Sequence, residues 1–170
     1  MKIAIIGSPG SGKSTLGLKL HKILGIPLYH LDQYFWKPGW VEPNRAEFQK
    51  KHNEICNKDK WILEGQGLKF FDYRIERADI IIFLDMPMYL CFYRVLKRAV
   101  THFGHVYFSS AKGCPEKGPT FKFLKYIWDF NKDKKPFIES LFKQYKNSKQ
   151  LYIVKNQKDL QQLIGKLIQN

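Results

Sequence analysis

Arginine is scarce in this chain. Five occur in 170 residues and none follows Arg98, although Lys+Arg 29 against Asp+Glu 15 leaves a formal charge of +14. The excess is therefore lysine: residues 112–170 carry 13 lysines and five acidic residues. These lysines are scattered rather than run together, which fits a solvated surface better than a dedicated polyanion-binding face. Cysteine is scarce too. Cys56, Cys91 and Cys114 are odd in number and in no C-x-x-C spacing, which argues against zinc and against a disulfide framework. No apolar run approaches the roughly 18 residues that a spanning helix needs. Repeats and low-complexity tracts are missing. The N-terminus reads as a core strand rather than a signal or transit peptide, so a cytoplasmic enzyme is expected. Length and 44% hydrophobic residues fit one compact domain over 1–170.

What is present begins at the second residue. The apolar run Ile3-Ala4-Ile5-Ile6 stops at Gly7 and is followed by Ser8, Pro9, Gly10, Ser11, Gly12, Lys13, Ser14 and Thr15, then by a helical pattern. This is G-x-x-x-x-G-K-[ST] after a strand and before a helix, the context that motif requires. Glycines allow successive backbone N–H groups to turn onto phosphate oxygens. The helix N-terminus adds its own unpaired N–H groups and the positive end of its dipole. Lys13 is placed to reach the β- and γ-phosphates and Ser14 to ligate Mg²⁺. ATP and Mg²⁺ are the expected cofactors.

Apolar strands at 2–6, 27–31, 60–64, 79–84 and 150–154 alternate with helical patterns at 13–24, 44–56, 89–99, 121–130, 136–146 and 159–168. Continuous apolar strands alternating with helices predict an α/β fold with a parallel sheet covered on both faces. Asn44 reads as an N-cap, with Glu47 completing a capping box. Residues 32–43 read as a loop, and a short helical or irregular piece leads from Gly65 to Arg77. Periodicity fails again from His102 to Pro119.

Ligands of such sheets sit at the carboxyl ends of the strands, and the chemically interesting residues fall there. Glu64 and Asp85 compete as the second metal ligand. Asp85 precedes Met86-Pro87 at a helix start, where a capping role is natural, whereas Gly65 beside Glu64 leaves room for a ligand. Glu64 is preferred, acting through water. Arg94 and Arg98 share one helical face leading into the irregular segment and suit phosphate oxygens. Residues 102–118 have the composition of a mobile lid that excludes water. Asp32 follows the second strand and can hold or take an acceptor proton; a turn-capping role is the alternative. Tyr34, Phe35, Trp36 and Trp40 are too many aromatics for a solvated loop and are either core or an acceptor pocket. Packing roles are expected for His30, His102 and His105.

GSPGSGKST, the H-L-D-x-x-F-W-K-P-G-W stretch at 30–40, WILEG at 61–65, ADIIIFLDMP at 78–87, Arg94-x-x-x-Arg98 and GCPE at 113–116 together resemble the bacterial DNA topology modulation (FlaR-type) proteins, within the adenylate-kinase-like group of P-loop kinases. That resemblance implies a three-layer P-loop NTPase fold with five parallel strands in the order 2-3-1-4-5, an acceptor-binding insertion at about 32–58 and a lid at about 102–118. It also implies that Glu64 helps to hold Mg²⁺, that Arg98 binds phosphate and that Arg94 covers the ATP base. Two departures stand out: Glu64 where such kinases often have Asp, and no later arginine, with Lys112 or Lys117 the available cations. The expected activity is transfer of the γ-phosphate of Mg²⁺-ATP to a small nucleotide-like or hydroxylated acceptor. The alternative is a nucleotide-dependent regulator that binds DNA. No membrane partner is expected.

Overall fold

The computed structural model describes residues 1–65 and 71–169. The expected piece between Gly65 and Arg77 therefore lies partly outside the described residues. Five strands, β1 (Lys2–Gly7), β2 (Leu28–His30), β3 (Trp61–Glu64), β4 (Ile80–Leu84) and β5 (Gln150–Val154), form one sheet in the order β2-β3-β1-β4-β5. Every pairing is parallel. Eight helices accompany them among the described residues: α1 (Lys13–Leu24), α2 (Leu31–Phe35), α3 (Arg45–Cys56), α4 (Phe71–Arg77), α5 (Met88–Thr101), α6 (Phe121–Asp133), α7 (Lys135–Tyr145) and α8 (Gln157–Gln169).

The period of two along β1 explains the three layers. Ile3 and Ile5 face one side, packing with Leu16 and Leu20 of α1 and with Leu163 and Leu167 of α8. Ala4 and Ile6 face the other, with Phe48 and Ile55 of α3, Phe130 of α6 and Leu141 of α7. Each fully buried Ile or Leu contributes about 1.5–3 kcal/mol of transfer free energy, so the central strand is held from both faces.

Three local readings change. Residues 32–43 are not all loop: β2 stops at His30 and Leu31–Phe35 form a helical turn closed by Trp36 N–H donating to the Asp32 carbonyl at 3.1 Å. Five residues are too few to show a helical period, so burial of Leu31 decides it. Asn44 does cap α3, accepting from Ala46 N at 2.8 Å, but Glu47 pairs with Lys37 at 3.2 Å rather than closing a capping box. α5 starts at Met88 and runs to Thr101, two residues past its expected end. Among the described residues no helix is long and apolar enough to cross a membrane.

Candidate active site

The loop from Gly7 to Thr15 joins β1 to α1 as its composition requires. Gly10 has φ +77°, and a Cβ there would lie 2.4 Å from the Cys91 carbonyl oxygen, so only glycine lets the loop pack against the start of α5. Pro9 and Gly10 form its turn, and Gly12 opens α1. That helix has no acidic residue in its first turn and no side-chain cap, which leaves its positive end to an anion. Ser8 and Ser11 are buried in the loop, and the Ser11 hydroxyl has no hydrogen-bond partner among the described residues, a donor suited to a phosphate oxygen. Thr15 faces solvent. Lys13 is buried, with Nζ donating to the carbonyls of Gly7 at 3.0 Å and Ser8 at 2.8 Å. Burial lowers its pKa, while Glu64 and Asp32 oppose that fall. Arg94 clasps the loop from outside, Nη1 donating to the Ser11 carbonyl at 3.2 Å.

Parallel pairing of β3 with β1 and β2 brings Glu64 level with Ile5 and His30. The buried Glu64 carboxylate takes the Ser14 hydroxyl at 2.9 Å and lies 2.5 Å from His30 Nδ1. A hydroxyl and a carboxylate oxygen meeting beside a phosphate loop are hard ligands of the kind Mg²⁺ takes, so the residues fit that ion. Gly65 serves a different end from the one expected: a Cβ there would lie 2.7 Å from Leu31 Cβ, so the space belongs to the core rather than to a ligand. The Asp85 carboxylate is held instead by Lys135 Nζ at 2.8 Å. Among the described residues no cluster of three His, Cys, Asp or Glu side chains suits a metal.

Asp32 opens α2 with solvent-exposed surface, at the carboxyl end of β2 beside His30. Limited hydration there, then the Glu64 carboxylate, push its pKa up to about 6 against the pull of Lys13, Arg98 and His30. The same cluster therefore contains both halves of the expected site. Asp32 acts in turn on Tyr126 of α6, which burial pushes up to about 12. The four aromatics separate. Phe35 packs edge-on against Phe48, with ring centres 5.0 Å apart, and belongs to the core. Trp36 bridges Phe35 and Trp40 at 4.9 and 5.6 Å, while Tyr34 stands beside Tyr29 at the surface.

The 102–118 segment is tied to this aromatic loop. Trp40 Nε1 donates to the Pro115 carbonyl at 2.8 Å, Gly39 N to the Gly113 carbonyl at 2.8 Å, and Gln33 Nε2 to the Phe108 carbonyl at 2.9 Å. Arg98 lies under the segment, its guanidinium 5.3 Å from the centre of the Tyr107 ring and its Nε 3.1 Å from Oε1 of the buried Glu116. Sequence reasoning missed His30, Lys135 and Glu116. His30 was detectable as a strand-end residue beside Asp32 and Glu116 stood in the GCPE stretch, but neither pairing shows in the sequence, and Lys135 carries no local signal.

Comparison with known proteins follows the same line. The chain is 30% identical over 105 residues to the uncharacterized protein YqaC of Bacillus subtilis (strain 168), covering 61% of this chain and 59% of that protein. It is 31% identical over 111 residues to a shikimate kinase of Clostridium botulinum (strain Langeland), covering 56% and 65%. It thus spans less than two thirds of the length of these relatives. Similar solved structures include shikimate kinase from Acinetobacter baumannii in complex with shikimate, with a TM-score of 0.63 at 18% identity, covering 99% of this chain and 90% of that one. Deoxyadenosine kinase from M. mycoides with bound dATP gives a TM-score of 0.57 at 19% identity, covering 100% of both chains. The shared feature is the fold, the five-stranded parallel sheet of P-loop kinases. The model of a family described as AAA domain matches residues 3–102, more than half of the sequence, and the chain belongs to that family.

Proposed function

We propose that this protein is a kinase that transfers the γ-phosphate of Mg²⁺-bound ATP to a hydroxyl of a small nucleotide-like or hydroxylated acceptor. The observation that carries this reading is the phosphate loop joined to the end of β3, with Lys13 buried in the loop and the Ser14 hydroxyl donating to Glu64 at 2.9 Å. Phosphoryl transfer needs positioning and neutralisation of spread negative charge more than covalent chemistry. Lys13 supplies a compact cation and Arg98 a forked one. Ser14 and Glu64 would hold Mg²⁺, which neutralises charge on the phosphate oxygens when bound. Asp32 holds the acceptor hydroxyl in line and accepts its proton. With a pKa near 6, it is largely ionised at neutral pH and still basic enough to do so. Trp36, Trp40 and Tyr34 wall the acceptor side, and Arg94 lies where the loop meets the nucleotide base. A cytoplasmic setting supplies ATP and Mg²⁺.

The relatives named as shikimate kinase and the neighbours named for shikimate and deoxyadenosine support a small acceptor. The finer resemblance to DNA topology modulation proteins rests on the motifs alone. A DNA-binding role draws little from the basic C-terminal third, because its lysines are partly engaged: Lys135 with Asp85, Lys125 with Asp129, and Lys149 with the carbonyls of Glu76 and Ala78.

A panel of nucleosides, nucleotides and hydroxylated acids, each incubated with ATP and Mg²⁺, tests the reading. ADP release above the acceptor-free rate with one acceptor class is expected. No acceptor-dependent release, together with DNA affinity that falls steeply with salt, would reverse it.

A further inference from the structure

No arginine follows Arg98 in the chain, so a lid over the phosphates has no forked cation of its own. What the 102–118 segment does bring is Glu116. Its backbone is fixed from both sides, N–H donating to the His105 carbonyl at 2.9 Å and carbonyl accepting from Gly104 N at 3.0 Å. The preceding carbonyl, Pro115, receives the Trp40 indole at 2.8 Å. Its side chain is buried at 6% exposure and meets Arg98 Nε at 3.1 Å, an ion pair whose N–H is not aligned as a hydrogen bond. The guanidinium lies over the Tyr107 ring, 5.3 Å from its centre.

We propose that Glu116 is a positioning residue that holds Arg98 by Nε, so that its two terminal amino groups form the phosphate clamp of the lid. This rests on the nucleotide site assigned above but on no particular acceptor. A guanidinium has five N–H donors in a rigid plane. An ion pair at the Nε side holds the group in place while leaving the end-on pair of amino groups to grip two oxygens of one phosphate. Among the described residues those amino groups make no hydrogen bond. Arg98 also lies close enough to act electrostatically on both Lys13 and Asp32. The arrangement converts one arginine on a helix into a directed clamp, with the directing group supplied by the lid. Trp40 links that group to the acceptor loop.

The test is calorimetric binding of a non-hydrolysable ATP analogue and of ADP, each with Mg²⁺, to the wild-type chain, Glu116→Ala, Arg98→Ala and the double variant. Glu116→Ala and Arg98→Ala should each weaken the analogue about tenfold and ADP less than about twofold. The double variant should bind like Arg98→Ala, because Glu116 acts only through that arginine. Glu116→Gln keeps the size of the side chain without its charge and should lose about threefold; it serves as the reading if the alanine variant fails to fold. Multiplying losses in the double variant, equal losses for ADP and the analogue, or unchanged or tighter binding by either Glu116 variant would overturn the proposal. Wild-type protein that binds neither nucleotide would overturn the site and the proposal together. Intact binding without transfer to any acceptor would count against the kinase reading alone.

Discussion

His30 Nδ1 lies 2.5 Å from Oε1 of Glu64, the same oxygen that accepts the Ser14 hydroxyl at 2.9 Å. The carboxylate is thus gripped from β2 and from α1, and the His30 and Phe108 rings stand nearly perpendicular with their centres 5.6 Å apart. Replacing His30 by Ala leaves Glu64 half-held. The Mg²⁺ concentration for half-maximal transfer should rise about tenfold, and stability should fall by about 1–3 kcal/mol. In His30→Asn the amide nitrogen occupies the place of Nδ1 and should restore most of the Mg²⁺ response. Magnesium titrations and thermal melts check both. Equal Mg²⁺ response in all three proteins would remove His30 from the site.

Lys13 is the buried cation of the loop, and its ammonium fits between two carbonyls at 2.8 and 3.0 Å. Lys13→Ala should lower acceptor-dependent transfer at least about 100-fold with the unfolding midpoint retained. Arginine at the same place is too large and planar for that slot and should not rescue. Single-turnover assays with melting curves distinguish loss of chemistry from loss of fold; retained transfer by Lys13→Ala would refute the assigned site.

Asp32 gives opposite pH signatures in rate and in stability. Its folded pKa, pushed up from 3.8 to about 6, means that the folded chain binds this proton more tightly than the unfolded chain. The stability it contributes is fully present below pH 3.8 and is lost as pH rises through about 6. Transfer needs the carboxylate, so the rate should rise over the same interval. Asp32→Asn should cut transfer by about 100-fold or more, abolish the limb of the pH–rate profile near 6, and melt higher than wild type at pH 7.5, by less at pH 5, and no higher below pH 3.8. A limb that persists in this variant would assign it to another group.

Asp85 tests which acid serves the metal. Its carboxylate is largely buried and paired with Lys135 of α7 at 2.8 Å. Asp85→Asn strands that lysine and should cost about 1.5–3 kcal/mol, while leaving the Mg²⁺ dependence of transfer unchanged. A loss of Mg²⁺ response at unchanged stability would make Asp85 a metal-site residue instead.

Much of the fold was legible because apolar strands and helical periods are written in consecutive residues. Ile3 to Ile6 and Ile80 to Leu84 are apolar without interruption, and each is buried on both faces. The short α2 was not legible, since its one turn depends on where Leu31 finds the core. The aromatic loop divided in a way no period announces: Phe35 went inward to Phe48, while Trp40, in a left-handed conformation at φ +66°, turned its indole to Pro115. The partners of Arg98 and Asp85 stood far off in the chain, at Glu116 and Lys135, so neither ion pair had a local signature.

The phosphate loop was determined by the sequence itself. Its glycines, Lys13 and Ser14 act within a few residues of one another, where backbone sterics and a helix start suffice. Which acid meets Ser14 was decided only in three dimensions. Glu64 and Asp85 both stand at the ends of strands that flank β1, and the local ground for preferring Glu64, room for a ligand at Gly65, is taken by Leu31. Parallel register set Glu64 beside His30 and Ser14, while the packing of α7 brought Lys135 onto Asp85. A charge takes its role from the charges that folding places within a few ångströms of it, and those come from anywhere in the chain.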